Sequence, residues 1–476
     1  MASEQASVAA TATGSIWDRE HAMLTIGLIL TIIGPAFEAL AVANTMPATV
    51  RDLGGIEYYG WAFSAFMLAN MIGITIAGAE IDRLGPSRPF VIGMSLFGAG
   101  LLIAGLAPTM EIMIIGRAVQ GFGAGFNSGV VYVVVARGDH ASARGQVLAM
   151  VLTGWVVPGV VGPALAGVIV DFVGWRWVFL GLLPMIILAV VLTLPQLRRL
   201  GGDDSKPRDL SRGMMSIQLA VGAGLLLTGL GTANLVLAVL MTVGGAVLTF
   251  IMLRRLMPRG TLIAAAGMPA AIATHGLLNL AFFGVDTYLP LGITEIRGQT
   301  ATIAGLALTA ATLMWTTGSW LLARISGRIS RRKITATGLV LIGIGIALFT
   351  LTIDPAIPIW LAIVSWAIAG LGIGLSFTTL TLVTLENAPA GGEGVASAAL
   401  QLANVLGVAL GAGIGGVIVS QASAGPGGAG QGIVLQSLLM LGVIALSLVA
   451  VRGLPARPKE TTTAVDPVAP SVIAGH

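Results

Sequence analysis

The chain has 476 residues, 56% of them hydrophobic and only 10% charged, with 66 glycines; no soluble domain can hide that much apolar surface. Its 25 Lys and Arg against 21 Asp and Glu leave a formal charge of +4, but they lie between hydrophobic segments and form no patch, which argues against nucleic acid as a partner. There is no cysteine and only four scattered histidines, so neither a disulfide framework nor a metal cluster is expected.

In chain order, residues 1–22 are rich in Ala, Ser and Thr and carry Asp18, Arg19 and Glu20. The apolar run that follows exceeds the about 7–15 residues of a signal-peptide core, so this segment reads as an uncleaved cytoplasmic tail. A membrane span needs about 20 mainly apolar residues, and the sequence predicts fourteen. Six spans, near 23–49, 60–81, 89–107, 110–136, 145–171 and 177–196, make an N-terminal bundle over 23–196. A cytoplasmic loop, 197–213, leads into 214–253, a stretch without one charge. That stretch is long enough for two crossings and reads as an inserted hairpin turning at Gly231, Thr232, Ala233 and Asn234. Arg212 and Arg254 then share a side, which only an even number of crossings allows. Six more spans, near 263–292, 300–322, 334–353, 357–385, 394–420 and 432–452, fill a C-terminal bundle over 254–452, and 453–476 is a second cytoplasmic tail. The expected fold class is an all-α membrane protein: two pseudo-symmetric six-helix bundles plus an inserted two-helix hairpin.

With both termini inside, only Arg51, Arg176 and Arg297 fall on the outer side and Arg117 falls within the membrane; the other Lys and Arg are cytoplasmic. This positive-inside bias accounts for the basic balance and points to a multi-pass protein of the cell membrane. An internal repeat runs through the two bundles. Shifted by 249 residues, QGFGAGF (120–126) falls on AGLGIGL (369–375), Gly145 on Gly394, Gly162 on Gly411, and GVIV (167–170) on GVIV (416–419). A shift of 245 places Arg83 on Arg328 and Arg88 on Lys333. Arg117 falls on Trp366 and Pro163 on Ala412, so these two are read as features of the first half alone. Parallel halves of this kind are the architecture of secondary transporters whose site lies at the repeat interface.

Four motifs carry a family resemblance. GAEIDRLGPSR (78–88) resembles the cytoplasmic loop signature of the major facilitator superfamily through Gly78, Asp82, Arg83, Gly85 and Arg88, while Glu80 and Pro86 depart from it. GRAVQGFGAG (116–125) is similar to the fourth-helix motif, with Arg117, Gln120 and Gly121 in place. GVVGPALAG (159–167) resembles the fifth-helix signature of exporters, with Gly159, Gly162, Pro163 and Gly167, and Ala166 where glycine is usual. WRWVF (175–179) followed by Pro184 looks like the start of the sixth helix in the fourteen-span drug:proton antiporter group. The resemblance implies that Asp82 locks the cytoplasmic side by facing the amino-terminal end of the helix beginning near Gly394. It also implies that the fifth helix seals the two bundles together. Plain readings stand beside these: an ordinary solvated loop pair at Asp82 and Arg83, and close helix packing at the glycines.

Within the membrane stand Glu38, Arg117, Asp286 and His275. An arginine near mid-helix costs about 2.5–3.5 kcal/mol on insertion scales, and in the family arrangement Glu38 is the acid at suitable depth to offset it. The alternative is that Arg117 snorkels to the outer interface. A shift of 248 places Glu38 on Asp286, so the halves carry equivalent carboxylates; His275, Asn279 and Asp286 fall on one helix stripe. No basic residue stands near Asp286 in its own helix. It is therefore expected to be unpaired and, because removal from water favours the protonated acid, to carry protons. His275 either joins it or merely bonds a neighbouring backbone.

Proton and substrate coupling is thus expected at Glu38, Arg117, Gln120, His275, Asn279 and Asp286, with Trp155, Trp315, Phe282 and Phe283 as cavity aromatics. The resemblance implies a proton-coupled exporter of amphipathic, drug-like or cationic compounds. It would work by alternating access, without cofactor, metal or obligate protein partner, among membrane lipids. An exporter of an endogenous lipid, metabolite or amino acid is the alternative. An ATP-driven pump or membrane enzyme is disfavoured, because none of Lys206, Lys333 and Lys459 follows a glycine and no phosphate-binding loop exists.

Overall fold

The computed structural model describes residues 19–137, 144–199, 211–389 and 391–456. Among them there is no strand. The long helices in chain order are α1 (Arg19–Leu53), α2 (Tyr59–Leu84), α3 (Ser87–Gly105), α4 (Met110–Arg137), α5 (Arg144–Phe172) and α6, which is broken into Arg176–Leu180 and Leu183–Leu197. Next come α7 (Ser211–Gly231) and α8 (Leu235–Leu256). The last six are α9 (Met268–Asp286), α10 (Ala301–Ile325), α11 (Arg331–Leu351), α12 (Trp360–Glu386), α13 (Glu393–Ser423) and α14 (Gly428–Ala450). Twelve helices among the described residues are long and apolar enough to cross a membrane. The chain is a multi-pass membrane protein. The helices α4, which carries Arg117, and α5, whose described apolar stretch is Val157–Phe172, are not among the twelve.

The helices stop and start where side chains satisfy their open backbone groups. Asn234 Oδ1 accepts from the amides of Val236 and Leu237 at 3.1 Å each and opens α8; Ser330 Oγ does the same for Lys333 at the head of α11. Gly85, at φ 74° and ψ 172°, turns the chain between α2 and α3 in a positive-φ conformation that suits glycine.

The repeated glycine stretches perform the same packing task in both bundles. A Cβ on Gly121 of α4 would lie 2.1 Å from the Phe66 carbonyl oxygen of α2, and one on Gly370 of α12 would lie 2.1 Å from the Ala311 carbonyl oxygen of α10. Backbones can approach this closely only where no side chain intervenes. The α7–α8 pair is packed on itself in the same way, Gly245 standing against the Leu226 amide. It leans on both bundles: Ser216 Oγ meets Thr75 Oγ1 of α2 at 2.9 Å, and Gln421 of α13 donates to the Leu230 carbonyl at 3.0 Å.

The two bundles meet along α5 against α10 and α2 against α13, and among the described residues hydrogen bonds across this seam gather at the end remote from Arg19 and Ala456, the distal end. Asn44 of α1 donates to the carbonyls of Pro163 (3.0 Å, α5) and Ala301 (2.9 Å, α10). The Asp171 carboxylate at the end of α5 accepts from the Ala301 and Thr302 amides and from Thr302 Oγ1, capping α10 of the other bundle. Arg51 pairs with Glu295 at 2.5 Å, and Ser64 of α2 donates to the Ala409 carbonyl of α13.

The Asp171 cap should matter to how tightly the distal seam closes. Charge-assisted bonds at an exposed site contribute modestly, about 1 kcal/mol after solvent screening, near a fivefold change in a two-state ratio. Spin labels on the exposed Val173 and Ala356, at the distal ends of the two bundles, should show a longer-distance population in Asp171→Ala; an unchanged distance distribution would remove the cap from the seam.

Candidate functional site

Arg117 is 2% exposed and Glu38 is fully buried, so the arginine does not snorkel to an interface. Its three acceptors come from three helices. Nη1 donates to Glu38 Oε1 of α1 and to Gln120 Oε1 one turn along α4 (2.7 Å); Nε donates to the Ala62 carbonyl of α2 (3.0 Å). The guanidinium lies 4.3 Å from the centre of the Phe66 ring, which adds a cation–π contact. Glu38 Oε2 and Gln120 Nε2 are buried without a protein partner.

The second bundle is built differently, and here the expectation of an unpaired Asp286 is corrected. Trp366 of α12 donates its indole N–H to Asp286 Oδ1 at 2.7 Å. The repeat had already placed Trp366 on Arg117; it takes over the donor's position without the charge, so Arg117 is not a feature without counterpart. Asp286 is half-buried, whereas Glu38 is sealed. Phe282 is corrected too: it is buried and stacks on Trp366 with ring centres 5.3 Å apart, a core residue and not a cavity wall. Phe283 and Trp315 are half-buried with ring centres 6.4 Å apart. Trp315 lies 5.3 Å from Phe377, which in turn covers His275 at 4.4 Å. His275 and Asn279 are buried; Asn279 donates to its own helix at the His275 carbonyl, and His275 Nδ1 has no partner. The stripe thus splits into a sealed polar pair and a half-open carboxyl at the end of α9.

At the proximal end, where α1 begins at Arg19, Arg83 pairs with Glu80 at 3.3 Å. Gly78 and Arg88 are exposed. The Asp82 and Trp155 side chains lie outside the described residues, and with Asp82 lies the expected contact to the head of α13, which begins at Glu393. Along α5, Cβ atoms on Gly159 and Gly167 would reach Thr312 and Ala301 of α10 at 2.5 Å, Gly162 faces Phe37, and the Pro163 carbonyl receives Asn44. Sequence reasoning missed Asn44, Asp171, Trp366 and Phe377. Trp366 alone had a signal, its alignment with Arg117.

Two helical bundles closing at one end around buried polar groups on facing helices define a membrane transporter. The family model described as Major Facilitator Superfamily matches residues 21–277 and 272–474, and the chain belongs to that superfamily. It is 26% identical over 461 residues to a probable multidrug-efflux transporter of Mycobacterium tuberculosis, covering 92% of this chain and 96% of that protein. It is 24% identical to Multidrug resistance protein 3 of Bacillus subtilis, covering 83% of this chain and 79% of that one. Among solved structures it resembles the POT family transporter PepTSo with a TM-score of 0.65 at 13% identity, over 90% of this chain and 97% of that one, a likeness of fold alone.

Removing one partner of a buried ion pair leaves the other uncompensated, at a cost of about 3–5 kcal/mol. Arg117→Ala strands Glu38 in this way, and Glu38→Gln keeps an acceptor but leaves the Arg117 charge without its anion. Unfolding in detergent should therefore show both variants clearly less stable than wild type, with Arg117→Ala inactive in transport; wild-type stability of either variant, or full transport by Arg117→Ala, would contradict the pairing's importance.

Proposed function

We propose that the protein is a secondary active exporter that exchanges inward-moving protons for amphipathic, drug-like or cationic compounds by alternating access. The reading rests most heavily on one contrast: pseudo-equivalent carboxyls stand in unlike settings, Glu38 sealed against a permanent cation and Asp286 half-open beside a neutral donor. A group that takes up and loses protons needs access, and of the two carboxyl residues Asp286 is the one only half-buried. The relatives are multidrug-efflux and multidrug-resistance proteins by name, which supports drugs as cargo. Half-buried aromatics at Phe283, Trp315 and Phe377 suit a flat apolar solute, and the acid favours a positive one.

The membrane is the cell membrane and both termini are cytoplasmic, as the charge bias implies. All of α1 to α14 cross it, the α7–α8 hairpin being inserted between bundles at 23–196 and 254–452. The closed distal seam then faces outward, and the arrangement is inward-facing. No cofactor is needed beyond the proton gradient; partners are solute, protons and lipid.

Proton-driven uptake into inverted vesicles, screened over a panel of lipophilic cations, tests the function. Wild type should accumulate some of them and lose accumulation when the gradient is collapsed; uptake that is indifferent to the gradient would overturn the antiport. Asp286→Asn mimics the protonated acid, so it should still bind substrate, fail to accumulate it and show a flattened pH dependence. Undiminished substrate-induced proton release from that variant would place the proton on another group.

Topology is tested separately. Cysteines at Asn234 and Gly201 should react with an impermeant thiol reagent from opposite sides. Labelling of both from the cytoplasm would sink the fourteen-span reading while leaving the superfamily intact.

A further inference from the structure

The repeat relates Glu38 to Asp286 and Arg117 to Trp366 by almost the same shift, 248 and 249 residues. The structure then joins each pair by a hydrogen bond between corresponding helices: α4 to α1 in the first bundle, α12 to α9 in the second. Two bonds at corresponding places between corresponding helices are one device kept in both halves, with the donor's charge changed: a cationic donor in one, a neutral donor in the other. We propose that Trp366 is the positioning residue of Asp286, aiming its carboxyl through a neutral N–H so that the acid is held in place yet left free to change charge. This rests on the reading of Asp286 as the proton carrier.

The surroundings of each pair fit this division. Arg117 cannot lose its charge in practice, so Glu38 stays the anion of a sealed ion pair. An indole N–H bonds to a carboxylate when Asp286 is charged and adds no charge of its own when Asp286 is protonated. Trp366 is itself fixed: fully buried, stacked on Phe282 and edge-on to Phe349 at 5.9 Å. Among the described residues the elements packed on α9 bring no cation beside Asp286: α13 carries only Glu393, at its proximal start, and Arg452 follows α14 at the proximal end. Within α9 the one other titratable group is His275, three turns away; α12 has only Glu386 at its far end, and α14 has no charged residue at all. The basic residues of α10 and α11, Arg324, Arg331, Arg332 and Lys333, stand at the proximal ends of those helices. Across the seam stand Tyr59, whose hydroxyl donates to the Thr287 carbonyl, and Arg51, which is engaged by Glu295. Tyr288, next but one to Asp286, donates to the Ala412 carbonyl. Arg297 is committed to the backbone carbonyls of Asp354 and Ile357. Trp366 is therefore the group that decides how Asp286 is presented.

The test uses two substitutions with opposite expectations. Trp366→Phe keeps the ring packing and deletes the N–H; a hydrogen bond to a carboxylate favours its charged form, so losing it should move the pH profile of substrate-induced proton release to higher pH, by about tenfold in proton concentration. Trp366→Arg restores the first bundle's pair, and should bind substrate but release no proton. A merely structural tryptophan would give the same general loss in both. A measurement on folded wild type guards against variants that do not accumulate: with 15N-labelled indoles, one N–H resonance should titrate with pH in wild type and cease to titrate in Asp286→Asn. A Trp366→Phe profile superimposed on wild type, or no indole resonance that titrates with Asp286, overturns the proposal. If Asp286→Asn itself releases protons as wild type does, the carrier reading has failed first, and the assignment of Trp366 falls with it.

Discussion

Everything in the first bundle depends on how one guanidinium is kept from water. A buried arginine is tolerated only when its donors all find acceptors and its charge finds an opposite one. At Arg117 those acceptors belong to α1, α2 and α4. Three helices must therefore keep their depth relative to one another to within hydrogen-bond tolerance. The acceptor on α2 is a backbone carbonyl, which α4 can approach only because Gly121 and Gly125 leave the contact bare of side chains. The charge and the glycine stretch are two parts of one solution.

The second bundle keeps the glycines and gives up the charge. Gly370 and Gly374 bring α12 against α10 as Gly121 and Gly125 bring α4 against α2. Trp366 stands where the arginine would be, and the demand for a permanent anion disappears. What remains is a carboxyl with one neutral donor and a partly open face. The asymmetry between the halves lies in the electrostatics and not in the packing. One half holds a buried ion pair and the other a carboxyl with a neutral donor.

Much of this was legible in the sequence because the bilayer makes it so. Apolar runs must be about as long as the membrane is thick, and a charge within one stands out, so Arg117 and Glu38 could be found and matched. The repeat was visible because close backbone approach demands small residues at fixed spacing. Other parts were hidden for definite reasons. Asn44 bonds two carbonyls, which every residue possesses, so nothing in the sequence marks its targets. Asp171 caps a helix far away in the chain. The partner of Asp286 is an indole, which no charge in the sequence marks. An aromatic residue type alone does not separate cavity wall from core, and the burial of Phe282 against Trp366 is decided by rotation about α9.

The positions of the acids relative to the seam complete the physical picture. Asp286, Thr287 and Tyr288 are consecutive: the first bonds Trp366, the Thr287 carbonyl receives the Tyr59 hydroxyl from the other bundle, and the Tyr288 ring lies 5.1 Å from that of Tyr59. On α1, Glu38 and Asn44 are six residues apart, about 9 Å along the helix, and Asn44 is bonded across the seam to Ala301. Each carboxyl thus shares a short rigid segment with a contact that holds the distal end closed. Glu38 cannot shift without breaking a buried ion pair, so α1 is anchored. Asp286 is held by a neutral bond whose strength depends on the carboxyl's charge, so under the proposed antiport its segment of α9 is the one whose hold on Tyr59 a proton would change. Chemistry at the site and opening of the seam need no long pathway between them, because neighbouring residues on one turn of chain carry both.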